Sequence, residues 1–282
     1  MPLLGGHLLL RPLEGLEAQE RHSDIGAPTS NEGDTQLALV DRGRKLSVHA
    51  QELYRKSVGG LLSDVKRLAP AGAQVESQDL GGIQAALIVP SEPIDQGNDT
   101  LLLLSAYTQT ADGLVQRVDF VANHAAVLNV AGCTPLAKTL AQSLAGGTRK
   151  VDLSAGQRKF SNHHLKVPAD VVMSTERGPD FTVYHFYPVV PLGAPSGEAL
   201  IYIGGFPEPF DPNGTAVSAP ALGAKRVWRE RVIEKQEGGT TVQSFTRRTV
   251  VTLAQGRSAD LFVDSRDETL YHTLASMLET TR

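Results

Sequence analysis

The residues best suited by type to do chemistry are the adjacent pair His163-His164, the single cysteine Cys133 and the pair Pro179-Asp180. Adjacent residues on a strand point to opposite faces, so one metal ion rarely takes both histidines. No Cys, Asp or Glu lies within five residues of the pair to complete a ligand set. The reading is two loop or strand-edge histidines, one partly buried. Cys133 lies two residues before Pro135, near an expected helix start, where the helix field would favour a thiolate, and His124 is nine residues upstream. A small buried cysteine at a strand–helix joint is the commoner case. Pro179-Asp180 matches the opening of the PD…(D/E)xK nuclease signature, in which carboxylates hold Mg²⁺. The next acidic residue is Glu198, with no lysine two places on, and Asp64-Val65-Lys66 has the spacing but lies upstream in a helical stretch. Nuclease chemistry is therefore not expected.

Asp260, Asp264, Asp267 and Glu268 gather near the last helix without the DxDxDG spacing that calcium loops need. Helix capping and placement in the helix field explain them. The chain has no GxxxxGK[ST], no GxGxxG opening a helix, no GxSxG and no HExxH. The expectation is a protein with no catalytic residue, no resident metal and no cofactor.

Composition narrows the classes further. The chain has 282 residues, 41% hydrophobic and 21% charged, with a formal net charge of −4. That balance disfavours a nucleic-acid wrapper, which carries a basic excess. One cysteine excludes an internal disulfide framework. No apolar run approaches the roughly 20 residues that span a bilayer. The leucines of the first ten residues are not preceded by Lys or Arg, so a secretory start is not expected and the cytoplasm is the expected compartment. The sequons at Asn98 and Asn213 matter only in a glycosylating pathway.

The elements that must position these residues follow from periodicity. Residues 14–41 are polar and read as a loose arm, with Leu8–Leu10 and Leu37–Val40 as short strands the equal alternative. A helical period is read from Ser47, through Tyr54, Val58, Leu61, Leu62, Val65 and Leu68, to Pro70; Gly59-Gly60 bends it or divides it in two. Strands are expected at Ala73–Ser77, Ile83–Val89, Leu101–Thr108, Leu114–Val121 and Ala125–Val130, with Asp112-Gly113 as a tight turn. Thr134-Pro135 reads as the start of a helix striped by Leu136, Leu140 and Leu144. In the second half, strands are expected at Val171–Thr175, Phe181–Val190, Ala199–Ile203, Arg226–Glu234, Thr241–Leu253 and Asp260–Val263. A final helix follows, with Ser265 and Glu268 at capping-box spacing.

Leu136, Thr139, Leu140, Ala141 and Leu144 match Leu270, Thr273, Leu274, Ala275 and Leu278 at a constant offset. This echo suggests a duplicated module: an α+β fold of two similar lobes, each a mainly antiparallel sheet packed against helices. The expected division is an N-terminal arm over 1–45, lobe one over 46–149 and lobe two over 150–282. All the net charge falls in residues 1–149, which makes lobe one acidic.

Four runs carry a family resemblance: Lys166-Val-Pro-Ala, Gly178-Pro-Asp-Phe-Thr-Val-Tyr184, Leu200-Ile-Tyr-Ile-Gly-Gly-Phe-Pro207 and Lys225-Arg-Val-Trp228. Residues 160–282 resemble small bacterial α+β modules of the MOG1/PsbP-like type. They also resemble immunity proteins that bind antibacterial effectors, including those of type VI secretion. The resemblance implies a cytoplasmic immunity protein that neutralises a toxin, such as a nuclease, by occluding its active site or assembly. Asp95, Asp99 and Asp112 in the turns of lobe one, and Phe206, Glu208 and Phe210 in a Pro/Gly-rich loop of lobe two, are the expected partner-binding residues. The alternatives are a non-catalytic scaffold of a secretion or envelope complex, and a hydrolase with a site around His163, His164 and Asp180.

Overall fold

In the computed structural model of the chain, Leu46, Val48, Ala50, Glu52 and Tyr54 are buried and alternate with more exposed neighbours. That two-residue period makes Leu46–Lys56 a strand, and the helix expected from Ser47 is confined to Leu61–Leu68. The structure describes residues 2–11, 19–21, 35–41, 46–96, 100–123, 130–205, 207, 213–237 and 239–282.

The chain divides into two compact units, Met1–Val151 with Pro191–Gly193, and Asp152–Val190 with Ala194–Arg282. The first contains β1 (Pro2–Leu3), β2 (Leu8–Leu10), β3 (Gln19–Arg21), β4 (Thr35–Asp41), β5 (Leu46–Lys56), α1 (Leu61–Leu68), β6 (Gln74–Leu80) and β7 (Ile83–Val89). It continues with β8 (Ile94–Asp95), β9 (Thr100–Gln109), β10 (Leu114–Asn123), α2 (Val130–Gln142) and β11 (Leu144–Gly146). Its main sheet is antiparallel, in the order β3-β4-β5-β10-β9-β7-β6, with β8 on β9, while β1-β2-β11 form a small second sheet. Within the polar arm expected over 1–45, Leu3, Leu8 and Leu10 are fully buried and Thr35–Asp41 pairs with β5.

Burial on both faces of β7 sets the core. Ile83, Ala85 and Leu87 face one cluster, with Leu104, Val118 and Phe120, and Ala86 and Ile88 face another, with Leu61 and Val65 of α1. From α2, Cys133, Ala137, Leu140 and Ala141 are buried in the first cluster.

The second unit contains β12 (Gly156–Phe160), β13 (His163–Val167), β14 (Val171–Arg177) and β15 (Thr182–Pro188). After β16 (Val190–Pro191) come β17 (Gly197–Gly204), β18 (Thr215–Ala221), β19 (Ala224–Glu237), β20 (Thr240–Thr252), β21 (Ser258–Ser265) and α3 (Glu268–Glu279). Its seven-stranded antiparallel sheet runs β14-β15-β17-β21-β20-β19-β18, and β12-β13 form a separate hairpin. Phe186, Ile201, Trp228, Leu261 and Val263 meet Leu274, Met277 and Leu278 of α3 in its core. The β19–β20 hairpin outruns the sheet: their pairing extends to Glu237↔Thr240, whereas β21 pairs with β20 only from Phe245 onward.

The α+β expectation is therefore wrong: the molecule is mostly β, with three α-helices against twenty-one strands among the described residues. The leucine echo does not mark a repeated helix, because α2 ends at Gln142 and Leu144 lies in β11, while Leu278 is still helical. α2 begins at Val130, so Pro135 is inside it rather than at its first position. Asp267, not Ser265, caps α3, accepting the Leu270 N–H at 2.9 Å. No helix among the described residues is long and apolar enough to cross a membrane.

Adjacent positions on β19 test this packing. Trp228 is fully buried and Val227 is 56% exposed. Trp228→Ala should cost about 3–5 kcal/mol and Val227→Ala within about 0.5 kcal/mol, measured by denaturant unfolding.

Candidate functional site

The most concentrated set of titratable groups in the first unit is built from three directions. On the sheet, Gln116 of β10 sits directly between Glu52 of β5 and Thr108 of β9. A bulge beside that pair, where Tyr54 takes φ +50°, leaves Leu53 and Tyr54 without partners opposite and returns Arg55 to register with Val115. The β9–β10 turn brings in Thr110 and Asp112, closed by Gly113 at φ +81°. The segment between β1 and β2 brings in His7.

These side chains close a ring. His7 Nδ1 bonds the Glu52 carboxylate. Gln116 Nε2 donates to Glu52 Oε1 at 3.3 Å and to Thr110 Oγ1 at 3.0 Å. Thr110 donates to Asp112 Oδ1 at 2.7 Å, and Asp112 Oδ2 lies 3.1 Å from His7 Nε2. That last approach is off the ring N–H direction, so it is a charge contact rather than a hydrogen bond. His7 and Gln116 are 0% exposed and Glu52 1%.

Backbone bonds fix the histidine. Gly147 N–H donates to His7 O at 2.8 Å and Arg149 N–H to Gly6 O at 3.1 Å. A Cβ at Gly147 would stand 1.9 Å from Gly6 O, so only glycine permits this approach. Burial pushes the Glu52 carboxyl up, against its bonds to His7 and Gln116. Burial works the same way on Asp112, but hydrogen bonds from Thr110, Val151 N–H and Leu114 N–H outweigh it and hold that carboxyl down. The ring is an interior network in which the histidine turns both nitrogens to carboxylates, bonding Glu52 and approaching Asp112.

In the second unit, His185 bonds Glu198 through Nδ1, lies 3.6 Å from Glu176 through Nε2 and stacks on Tyr187. Arg247, 5% exposed, reaches Glu279 at 2.8 Å and Glu230 at 3.5 Å and lies over Trp228, 4.6 Å from the ring centroid. Its remaining N–H groups lack hydrogen-bond acceptors among the described residues, and the aromatic face takes their place. Burial, with Glu230 close by, pushes the Tyr271 phenol up.

One surface of this unit open to a ligand is a groove between α3 and the β12–β13 hairpin. It comprises adjoining clefts of ≈ 330 Å³ and ≈ 670 Å³ that share Lys166, Ser276 and Thr280. Along α3 its wall is Thr269, His272, Thr273, Ser276 and Thr280, one stripe at helical spacing opposite the buried leucines. Leu165, Val167 and Met277 supply an apolar floor. The end near Arg282 is held by reciprocal backbone bonds between His164 and Arg282, both 2.9 Å.

The structure does not assemble the residues singled out by sequence into one site. Asp95 is exposed on β8. Asp112 is not the surface charge expected: three hydrogen bonds and the His7 contact turn it inward, leaving its side chain 10% exposed. Asp99, Phe206, Glu208, Phe210 and His124 lie outside the described residues, as do residues 125–129 of the expected strand Ala125–Val130, whose Val130 starts α2. Cys133 is buried in the core, and His163 stacks on Phe160. The acidic cluster near α3 is dispersed: Asp260 holds Arg248 through two oxygens, Asp264 accepts from Ser244, and Asp267 is the helix cap. No group of three His, Cys, Asp or Glu suited to a metal ion occurs among the described residues. Sequence reasoning missed the ring and the groove. The signal for the ring was Glu52, a charge in phase with the buried positions of β5.

The ring makes opposing demands on pH. The raised Glu52 carboxyl binds its proton more readily in the native state, so stability falls as pH rises from the ordinary value of 4.5 through its native one. The lowered Asp112 carboxyl contributes stability above 3.8 that is lost as pH falls through its native value. Thermal melts across pH should show Glu52→Gln removing the first slope and Asp112→Asn the second. His7→Ala should cost about 3–5 kcal/mol near neutral pH, because it strands Glu52, and the double variant with Glu52→Gln should recover part of the loss.

No family model matches the chain, and no curated protein does. Among solved structures, it is similar to MucB in complex with MucA(peri), at 12% identity and a TM-score of 0.22. It is also similar to the Pseudomonas aeruginosa MucA/MucB complex, at 11% identity and a TM-score of 0.19. Each comparison covers 95% of this chain and 87% of the other. Scores this low establish neither fold nor function.

Proposed function

We propose that the chain is a non-catalytic binding protein whose second unit holds part of a partner protein in the groove beside α3. The observation that carries this reading is the groove itself: long, open, floored by apolar side chains and walled by an exposed hydroxyl stripe. Such a surface suits a length of polypeptide better than an enclosed small-molecule pocket would. The histidine–carboxylate groups support the same reading, since His7 and His185 turn their ring nitrogens to carboxylates of their own chain.

The biological setting we propose is immunity: the partner is an antibacterial effector, met in the cytoplasm and neutralised by occlusion. This finer statement rests on the sequence resemblance of residues 160–282. The tagged chain should recover one stoichiometric protein from its native host, and co-expression should abolish that protein's toxicity. Recovery of no stoichiometric protein overturns the binding reading. A recovered protein that is harmless when expressed alone overturns immunity and leaves a scaffold role.

A further inference from the structure

We infer that the occupant of the α3 groove is an acidic, extended segment of the partner; this deepens the binding reading above and rests on it. Charge is the first argument. Lys166 and Arg282 line the groove, and neither side chain forms an ion pair among the described residues. The carboxylate that also lines it, Glu279, is matched by Arg247 at 2.8 Å. The groove therefore presents unmatched positive charge, and a carboxylate-bearing ligand supplies the complement.

Shape is the second argument. From Thr269 to Thr280 the stripe covers eleven helical rises, about 16 Å, the length of roughly five residues of extended chain. Hydroxyl chemistry is the third. Thr273 donates its hydroxyl proton to Thr269 O at 3.0 Å, which leaves its oxygen as an acceptor. Ser276 makes no hydrogen bond among the described residues and can serve as donor or acceptor. An extended segment offers backbone N–H and C=O groups to such a row, while its acidic side chains reach Lys166 and Arg282 and its apolar ones the Val167–Met277 floor.

The walls are fixed before binding. Thr280 Oγ1 accepts the Lys166 N–H at 2.8 Å, and Thr281 receives the Leu222 N–H on its hydroxyl and the Gly223 N–H on its carbonyl. A preformed groove spares the ligand the cost of ordering it.

The test uses the full chain and fluorescein-labelled decapeptides alternating Leu or Val with Glu, Gln or Lys, read by anisotropy. The Glu peptide should bind, the Gln peptide more weakly and the Lys peptide not at all. Lys166→Glu with Arg282→Glu should weaken the Glu peptide about tenfold or more, since two attractions become repulsions. Ser276→Trp, on the exposed helix face, should abolish binding by filling the groove. Lys166→Gln provides a milder variant should the reversal fail to fold, with a smaller loss expected. Equal binding of the Glu and Gln peptides, undiminished binding to Ser276→Trp, or no binding of the Glu peptide overturns the proposal. So does complete competition by millimolar inorganic phosphate, which would mark a small-anion site. If Ser276→Trp recovers the native partner as well as the unaltered chain does, the groove assignment fails and the binding reading survives. If the unaltered chain recovers no partner, the binding reading itself fails.

Discussion

A histidine with no contact to water stands between two carboxylates, and much of the first unit is arranged to make that tolerable. Burying Glu52 is costly, and the cost is offset only if its oxygens are bonded and a cation or proton stands beside it. His7 meets one oxygen and Gln116 the other, Thr110 joins Gln116 to Asp112, and Asp112 returns to His7. The ring ties together the N-terminal segment, the third and fourth members of the β3-β4-β5-β10-β9 row and a tight turn. A polar network of this kind stabilises less than an apolar core of the same volume, but it accepts only one arrangement of its parts. The forced glycine at 147 follows: the strand after α2 must come close enough to His7 to hold its backbone.

The second unit meets a similar problem with different means. Arg247 points into a core beside Trp228, where the aromatic face substitutes for acceptors it lacks and two glutamates balance its charge. Glu279 is thereby occupied at the end of α3. The leucine stripe of that helix faces the sheet, and its hydroxyl stripe is left to the groove. Core electrostatics and surface chemistry are linked through a single carboxylate.

Much of the strand framework could be read from sequence. Ile83–Val89 and the strands around 100–123 and 171–265 stand out because apolar, β-branched runs are separated by turn residues, and the Asp112-Gly113 turn is in the expected place. The fold class could not be read in the same way. Leucine stripes at Leu136–Leu144 and Leu270–Leu278 give strong helical signals that say nothing of how little core the helices cover. In β5 a buried glutamate breaks the apolar alternation, so Tyr54 joined the helical pattern of the residues after it. Asp112 was noticed as a turn residue, but whether it faces water or His7 depends on a segment more than a hundred positions away. The ring draws on positions 7, 52, 110, 112 and 116, and no local pattern connects them. The groove was equally hidden, since its wall is the side of α3 that hydrophobic periodicity ignores.

The β19–β20 hairpin carries one more consequence. Among the described residues, β20 pairs on both sides from Phe245 to Arg248, while Thr240–Ser244 pairs with β19 alone. Two-stranded ribbons are marginal by themselves. One continuous strand thus spans two regimes of local stability: its outer amides open by fraying, and its inner amides open only with the sheet. Solvent exchange along β20 is graded by position within a single element, with the step at the residue where β21 begins to pair.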